Sequence, residues 1–339
     1  MLARLLLAFG LLLTACAPAA GAPQPPRDEA PRLVVLVWNG STATFGHLDV
    51  AGRFSPRVTI DDPAGMGIRA ALAPDRQHLA ATVARPGRPA GREAGLLLID
   101  LARGEIRRLL DDVDLRGRPV WSADGNEIAV RRVHAAEHGT VDEIVAVTVT
   151  GDVRPLARGD GALGMYAAGW PAEGLHILRI AAEGSRLGVV DSPDVVLSAG
   201  AVRDVSVSPD GRWIAFSDYS YGPALGLLGP GGLTRTPLAG PFVHPAWRPD
   251  GTLLVAGAPG RAESALAAAP VPVVSVPSSP GTVSLPVTAG RAGWLAARTV
   301  RLGAAGAVVD EWIDLIGPDG RRQPVRLPGV VEPLGWAGE

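Results

Sequence analysis

A short polar turn between two apolar strands recurs along the whole chain. Its clearest copy runs from Val205 to Phe216 and reads VSVSPDGRWIAF. Proline presets the backbone angle at the first central turn position, aspartate suits the next, and glycine adopts positive φ at little steric cost. Two short apolar strands joined in this way predict a β-hairpin.

Further copies of this hairpin follow a regular spacing. They are marked by a tryptophan, or the residue that replaces it, at positions 72, 121, 170, 207, 247, 294 and 336, in steps of 37 to 49 residues. A period of about 40–45 residues with turn and tryptophan markers is typical of a four-stranded propeller blade. The high content of breakers, Gly 43 and Pro 31, favours short strands and tight turns over long helices.

The two ends of the chain predict the number of blades. Residues 33–59 offer three strands with none before them, and residues 330–336 offer one strand with none after it. Together they complete one blade, and six internal units bring the total to seven. We therefore predict an all-β, seven-bladed β-propeller whose last blade is closed by the C-terminal strand joined to the N-terminal strands. Six or eight blades remain open alternatives, because the fifth internal unit alternates poorly around residues 265–280.

The repeated core resembles a known class of bacterial repeat. Copies such as Trp121-Ser-Ala-Asp-Gly125 and Trp247-Arg-Pro-Asp-Gly251, each followed by an apolar strand, are similar to those of TolB-like and WD-repeat-like bacterial β-propellers, the PD40 type. The resemblance covers residues 32–339. It implies that a partner binds through a propeller face, and it transfers no catalytic residue.

The N-terminus has the features of an export and anchoring signal. A single basic residue, Arg4, precedes an apolar run that is too short to span a bilayer. The run ends in Leu13-Thr14-Ala15-Cys16, which resembles the bacterial lipobox and contains the only cysteine. We predict a lipoprotein signal peptide over residues 1–15. Lipidated Cys16 and an extended Pro/Ala-rich tether then occupy residues 16–31.

This reading predicts an exported protein anchored to a bacterial membrane, on its periplasmic or extracellular side. Several acyl chains on Cys16 hold a protein stably on a membrane, whereas one chain is marginal. The alternative is an ordinary secretory signal with an incidental cysteine. With one cysteine no intrachain disulfide can form, and the net charge of -2 gives no global pull toward nucleic acid or an anionic membrane.

Known catalytic and cofactor motifs are absent from the sequence. It contains no P-loop, dinucleotide fingerprint or nucleophile elbow in a strand-to-helix context, so we predict no cofactor and no catalytic residue. The letters of His134-Ala-Ala-Glu137-His138 match an inverted zinc-protease motif, which needs a helix that presents both histidines to one ion. Here the segment is expected in a loop between two strands. We therefore predict no metal site.

Two groups of polar residues remain to be interpreted. The turn aspartates, Asp75, Asp124, Asp210 and Asp250, are expected to bond their own turn backbone. Arginine and aromatic residues instead cluster in loops between the second and third strands of a blade, or between successive blades, and such loops share one propeller face. The candidate binding residues on that face are Arg85, Arg88, Arg92, Arg131, Arg132, His134, His138, Tyr166, Tyr219 and Tyr221.

The acidic pairs Asp61-Asp62 and Asp111-Asp112 are expected on nearby loops between successive blades, where they would neutralise those arginines. Because the repeats differ most in these loops, the sequence favours a non-catalytic scaffold that binds a protein or a glycan in the cell envelope. The alternative is a propeller-type enzyme, such as a lyase, a quinone-cofactor dehydrogenase or a metal-dependent hydrolase. That function requires His, Glu or Arg side chains that converge at the central channel.

Overall fold

A computed structural model describes most of the predicted propeller. The described ranges are 30–61, 67–85, 94–137, 139–159, 164–237, 243–256, 269–290, 292–304 and 307–337. Within them the regular elements are β-strands, grouped into seven sheets that form a ring. No helix in these ranges is long and apolar enough to cross a membrane.

The strands of each blade run from the central channel outward in the order A, B, C and D. The strands of blade 1 are β27 (Val330–Ala337), β1 (Arg32–Asn39), β2 (Thr42–Asp49) and β3 (Phe54–Asp61). Those of blade 2 are β4 (Ile68–Leu72), β5 (His78–Ala84), β6 (Ala94–Asp100) and β7 (Glu105–Val113). Those of blade 3 are β8 (Val120–Trp121), β9 (Glu127–Ala136), β10 (Gly139–Thr148) and β11 (Val153–Gly159).

The remaining blades follow the same order around the ring. Blade 4 contains β12 (Met165–Gly169), β13 (His176–Ala181), β14 (Gly184–Val189) and β15 (Val195–Ser198). Blade 5 contains β16 (Val202–Val207), β17 (Ile214–Asp218), β18 (Ala224–Gly229) and β19 (Gly232–Pro237). Blade 6 contains β20 (Ala246–Trp247), β21 (Leu253–Ala256) and β22 (Val273–Val276). Blade 7 contains β23 (Thr282–Ala289), β24 (Leu295–Leu302), β25 (Val308–Ile316) and β26 (Arg322–Val325).

The predicted closure and the count of seven blades are confirmed. β27 pairs antiparallel with β1, so the last strand of the chain completes the first blade. Trp336 of β27 is fully buried and packs with Leu33 of β1 and with Leu315 of blade 7. The closing strand therefore joins the two ends of the chain and also fills the space between two blades.

Blade 6, the poorly marked fifth internal unit, departs from the regular pattern. Its described part has three strands, and β22 pairs with β21 in parallel. In a regular blade the B and D strands run in the same direction with the C strand between them. β22 therefore has the direction of a D strand but occupies the position of a C strand. Residues 257–268, which connect the two strands, lie outside the described ranges.

The tryptophan and aspartate markers have the expected structural roles. Trp121 Nε1 donates a hydrogen bond to the carbonyl of Ala71 in the preceding blade, at 3.1 Å. In the turns, Asp124 Oδ1 accepts from Ser122 Oγ at 2.6 Å and from the backbone N–H of Asn126 at 3.1 Å. The hydroxyl and amide donors stabilise the carboxylate and lower the pKa of Asp124 to about 2. The markers therefore build the blades, as the repeat predicted.

We predict that the closing indole is among the largest single contributors to stability. Trp336→Ala should lower the free energy of unfolding by about 3–5 kcal/mol, because it leaves a cavity at the blade 1–blade 7 contact. Chemical denaturation measures the change. Tyr221→Ala is the control, because that side chain is 87% exposed and should change stability by less than about 0.5 kcal/mol. Equal effects of the two substitutions would contradict closure through β27.

Candidate functional site at the mouth of the central channel

The two faces of the ring differ in the connections that form them. We call the face formed by the B–C and D–A connections the mouth face, and the face formed by the A–B and C–D turns the turn face. The predicted binding residues belong to the mouth face. Arg88, Arg92 and His138 lie outside the described ranges.

The described members of the predicted set are dispersed. Arg85 pairs with Asp111 at 2.6 Å and with Asp112 at 3.7 Å, so the neighbouring acidic pair neutralises it as anticipated. Arg132 lies 3.7 Å from Glu143. His134 is exposed on strand β9, where the helix that a zinc-protease motif requires is not formed.

The expectation that Arg131 lies in an exposed loop is wrong. The segment from Arg131 to Asp142 was predicted as a loop because it is polar, but β9 and β10 continue through it as a long hairpin. Arg131 is 3% exposed, and its Nε and Nη2 donate to Asp142 at 2.7 and 2.6 Å. A buried guanidinium requires such pairing, so the polar residues of the two strands face each other.

This buried pair organises a junction between blades 3 and 4. Asp142 also accepts the backbone N–H of Met165 at 2.8 Å, and the Arg131 guanidinium lies 4.5 Å from the Tyr166 ring centre. The carboxylate of Asp114 is fully buried and accepts hydrogen bonds from the backbone N–H, the Nε and the Nη2 of Arg116. Arg131 therefore positions blades, and Tyr166 combines this packing with a place in the wall of the channel.

Unlike the dispersed predicted residues, another group of charged side chains converges at the central channel of the ring. On the mouth face a cavity of about 640 Å³ is lined by Arg203, Asp204, Tyr219, His244 and Leu285, among others. It continues into a cavity of about 520 Å³ inside the channel, which shares Arg203, Asp204 and His244. Tyr219, from the predicted set, is part of this wall, whereas Tyr221 projects into solvent.

Asp204 and His244 form a fixed polar pair with an unusual backbone. The Asp204 carboxylate lies 3.5 Å from His244 Nδ1. Both residues adopt positive φ, 50° and 40°, which is uncommon outside glycine and costs about 1–3 kcal/mol each. In β16 the pairing register shifts between Arg203 and Ser206, so Asp204 lies in a β-bulge that redirects its side chain. Strain of this kind concentrates at functional sites.

Ser217 contacts both members of the Asp204–His244 pair from their buried side. Its Oγ donates to Asp204 Oδ2 at 2.9 Å, and it accepts the backbone N–H of His244 at 3.2 Å. The serine is fully buried and gives its proton to the carboxylate rather than to the imidazole. A Ser-His-Asp nucleophile needs the opposite order, with the hydroxyl against the imidazole. Ser217 therefore positions the pair.

The charge of Asp204 follows from its partners. Desolvation at the concave mouth raises the pKa of Asp204. The hydrogen bond with His244, the nearby charges of His244 and Arg203, and the Ser217 hydroxyl lower this pKa by a larger amount. The net effect is a pKa below the ordinary value, so the carboxylate is ionised at neutral pH.

A second ion pair crosses the same mouth. Arg118, which precedes β8 in blade 3, pairs with Glu332 of β27 in blade 1. The pair therefore reaches past the innermost strand of blade 2. Arg118, Asp204 and His244 all line the channel cavity. A propeller-type enzyme would need such charged side chains to converge at the channel. The sequence motifs did not reveal them.

A signal for these residues was present in the repeat alignment. Counting three residues back from each marker reaches Arg69, Arg118, Ala167, Asp204, His244, Arg291 and Pro333. Five of these seven residues are ionisable, although the markers that follow them are apolar. Equivalent positions in a propeller lie at the same height around the channel, so this alignment column predicts a charged ring. Within the described ranges, no group of three or more His, Cys, Asp or Glu side chains could hold a metal ion.

Comparisons with known proteins support the architecture. No protein-family model and no curated protein matches the sequence. A puromycin-hydrolyzing peptidase of Mycobacterium tuberculosis is similar in structure, with a TM-score of 0.53, 15% identity, and coverage of 89% of this chain and 54% of that one. The acylaminoacyl peptidase of Pyrococcus horikoshii gives 0.52 at 9% identity, covering 86% and 52%. The likeness is one of fold.

The chain spans about half the length of those two peptidases. A protein described as TolB from Agrobacterium tumefaciens covers 91% of this chain and 90% of its own, with a TM-score of 0.47 and 15% identity. The β-propeller fold that the sequence resemblance implied is confirmed by the seven sheets of the structure and by its likeness to the two peptidases. At these identities the likeness carries no catalytic or binding residue across.

We predict that breaking the buried pair of blade 3 is costly. Asp142→Ala should lower the free energy of unfolding by about 3–5 kcal/mol, because Arg131 remains buried without its counter-charge. The double variant Arg131→Met with Asp142→Leu should be markedly more stable than Asp142→Ala. Urea denaturation compares the three proteins. A double variant no more stable than Asp142→Ala would show that the loss does not come from the uncompensated charge.

We predict a pH-dependent contribution from Asp204. Its pKa in the folded protein is lowered, so the stabilisation is present above the unfolded value, about 3.9, and is lost as pH falls through the folded value. Asp204→Asn removes the charge while asparagine tolerates the left-handed backbone. The difference in unfolding free energy between the two proteins should therefore be larger near pH 5 than near pH 3. A difference that does not change with pH would refute this assignment.

Proposed function

We propose that this protein is a non-catalytic binding propeller that captures an extended polypeptide segment at the mouth of its central channel. We further propose that it acts on the outer side of a bacterial membrane, anchored through lipidated Cys16. Residues 1–29 lie outside the described ranges, so the anchor rests on the lipobox resemblance.

The observation that carries the proposal is the free inner edge of the A strands. In every described blade the A strand is the terminal strand of its sheet and pairs only with the B strand. Its other edge faces the channel, with backbone N–H and C=O groups open to a ligand. Such an edge binds an extended chain through main-chain hydrogen bonds.

The channel wall between those edges combines apolar side chains with polar atoms. The cavity below the mouth continues into one of about 680 Å³ that opens on the turn face. The two share Val120, Ala168, Val205 and Val207, among other residues. An alkyl chain in this channel would leave the backbone groups without partners, which costs free energy. Strand edges beside these apolar side chains therefore favour a polypeptide over a lipid tail.

The charges at the mouth determine which chemical group the proposed ligand carries at one end. Within the described ranges the Arg203 side chain makes no hydrogen bond or ion pair, and its charge acts on Asp204. Asp204 is engaged by His244 and Ser217, and Glu332 by Arg118. An acidic side chain or a C-terminal carboxylate would gain a charge-assisted pair with Arg203. The proposed ligand is an extended apolar segment that carries such a group.

One observation favours an enzyme as the second candidate function. His244 is held through Nδ1 by a carboxylate, and this arrangement orients the other ring nitrogen for proton transfer. The two functions differ in their dependence on His244. An enzyme needs a ring nitrogen that titrates, whereas a binding site needs only a side chain of similar shape and polarity.

Site-specific photo-crosslinking in cells tests the proposed function. A benzophenone amino acid at Leu285, on the rim of the mouth, should form an adduct with a polypeptide, and the same group at Arg212 should not. Arg212 is exposed in an A–B turn on the opposite face. Arg203→Glu should reduce the Leu285 adduct at least about tenfold, the effect of losing a central arginine contact. Arg212→Glu is the matched charge reversal and should leave it unchanged.

The same experiment separates the two candidates. His244→Gln should preserve most of the adduct if the mouth only binds. Absence of any Leu285 adduct, together with a turnover reaction of the purified protein that His244→Gln abolishes, would replace the binding function by the enzymatic one.

A further inference from the structure

Most of the exposed large apolar side chains lie on one rim of the ring. The described ranges contain eight such side chains, and five of them lie at the turn-face ends of strands. Four of the five follow C–D turns, and the fifth is on the blade 6 strand that has the D direction. All five are 42–58% exposed. They are Ile106, Val153, Val195, Val196 and Val274. Strands with the D direction begin on the turn face, so these side chains form an arc at the edge of that face.

A cationic cavity opens on the same face. It measures about 500 Å³ between blades 1 and 2 and is lined by Arg32, His47, Arg57, Asp75 and Arg76, among others. Among the described residues, three guanidinium groups and one carboxylate line this cavity, and Asp75 is itself bound to His78 at 2.6 Å. Arg76 is held in place because it donates to the carbonyl of Trp336 at 2.7 Å. The cavity suits an anion with several acceptor oxygens, such as a phosphate ester.

The chain reaches the ring at this cavity. Ala30 lies in its wall, beside the A–B turn at Gln77 and the C–D turn at Ala102. Only residues 17–29 separate this point from Cys16, and an extended tether spans at most about 3 Å per residue. An anchor at Cys16 therefore keeps the ring close to the membrane from the turn face.

We propose that the turn face docks on the surface of an anionic lipid bilayer. Headgroup phosphates occupy the cavity lined by Arg32, Arg57 and Arg76, and the valine and isoleucine side chains of the rim enter the interfacial layer. The location on a membrane rests on the proposed function, but the docking itself does not need the acyl chains. Docking directs the mouth face, with Arg203 and His244, away from the membrane.

Vesicle flotation tests the docking without the anchor. The protein is the mature chain, residues 16–339 with Cys16→Ser, which contains every strand of the closed ring and carries no acyl chain. It should float with vesicles of phosphatidylcholine mixed with phosphatidylglycerol and remain unbound with phosphatidylcholine alone. Arg57→Glu should weaken binding by more than about fivefold, because each basic residue near an anionic surface contributes about that factor.

Matched substitutions on the two faces provide the control. Val196 and Val309 are both 58% exposed, the first on the turn face and the second beside the B–C connection of blade 7 on the mouth face. Val196→Asp should reduce flotation and Val309→Asp should not. Arg132→Glu, a charge reversal on the mouth face, should also leave flotation unchanged. Thermal unfolding verifies that each variant is folded.

Three results would overturn the docking. They are equal flotation with neutral and anionic vesicles, equal loss in Val196→Asp and Val309→Asp, and binding of soluble glycerophosphate without binding to vesicles. The last result would assign the cavity to a dissolved phosphate ester. Because none of these results involves the Leu285 adduct, failure of the docking is distinguishable from failure of polypeptide capture at the mouth.

Discussion

Two junctions between neighbouring blades are fixed by the same contact, an indole N–H that donates to a backbone carbonyl of the preceding blade. Trp121 bonds Ala71, and Trp247 bonds Ser206 at 3.0 Å. Each bond fixes the innermost strand of one blade against that of the next, with the indole filling the wedge between the sheets. In the described ranges each innermost strand pairs with only one strand of its own sheet, so its other edge faces the channel. The strands that these indoles join therefore also form the edges at which we propose that a polypeptide binds.

Local chemistry explains why much of the fold was predictable. A polar turn and its flanking apolar strands are determined within about ten residues, and the seven marker positions specify the blades. The channel mouth was harder because Arg118 and Glu332 are 214 positions apart and meet only when the ring closes. Comparing equivalent positions across the repeats would have located Asp204 and His244. Reading the polar segment after Arg131 as a loop failed because paired buried charges look the same in sequence as solvated ones.

Two polar clusters illustrate how structure separates architecture from function. Around Arg131 and Asp142 the charges are buried, paired with each other and held by an ordinary strand backbone. At the mouth, Asp204 and His244 remain about one-third exposed and both have a left-handed backbone. The first cluster resembles a fixed joint between blades. The second retains accessible polar atoms in a strained geometry, which ordinary packing does not explain.

Closure through β27 also sets a time order for folding. β1 is among the first strands to be made, yet the strand that covers its inner edge ends at Ala337, close to the end of the chain. During synthesis the first blade therefore has an exposed edge and the ring has a gap. The native ring forms only after nearly the whole polypeptide is available. The strand Val330–Ala337 therefore decides when the ring becomes closed.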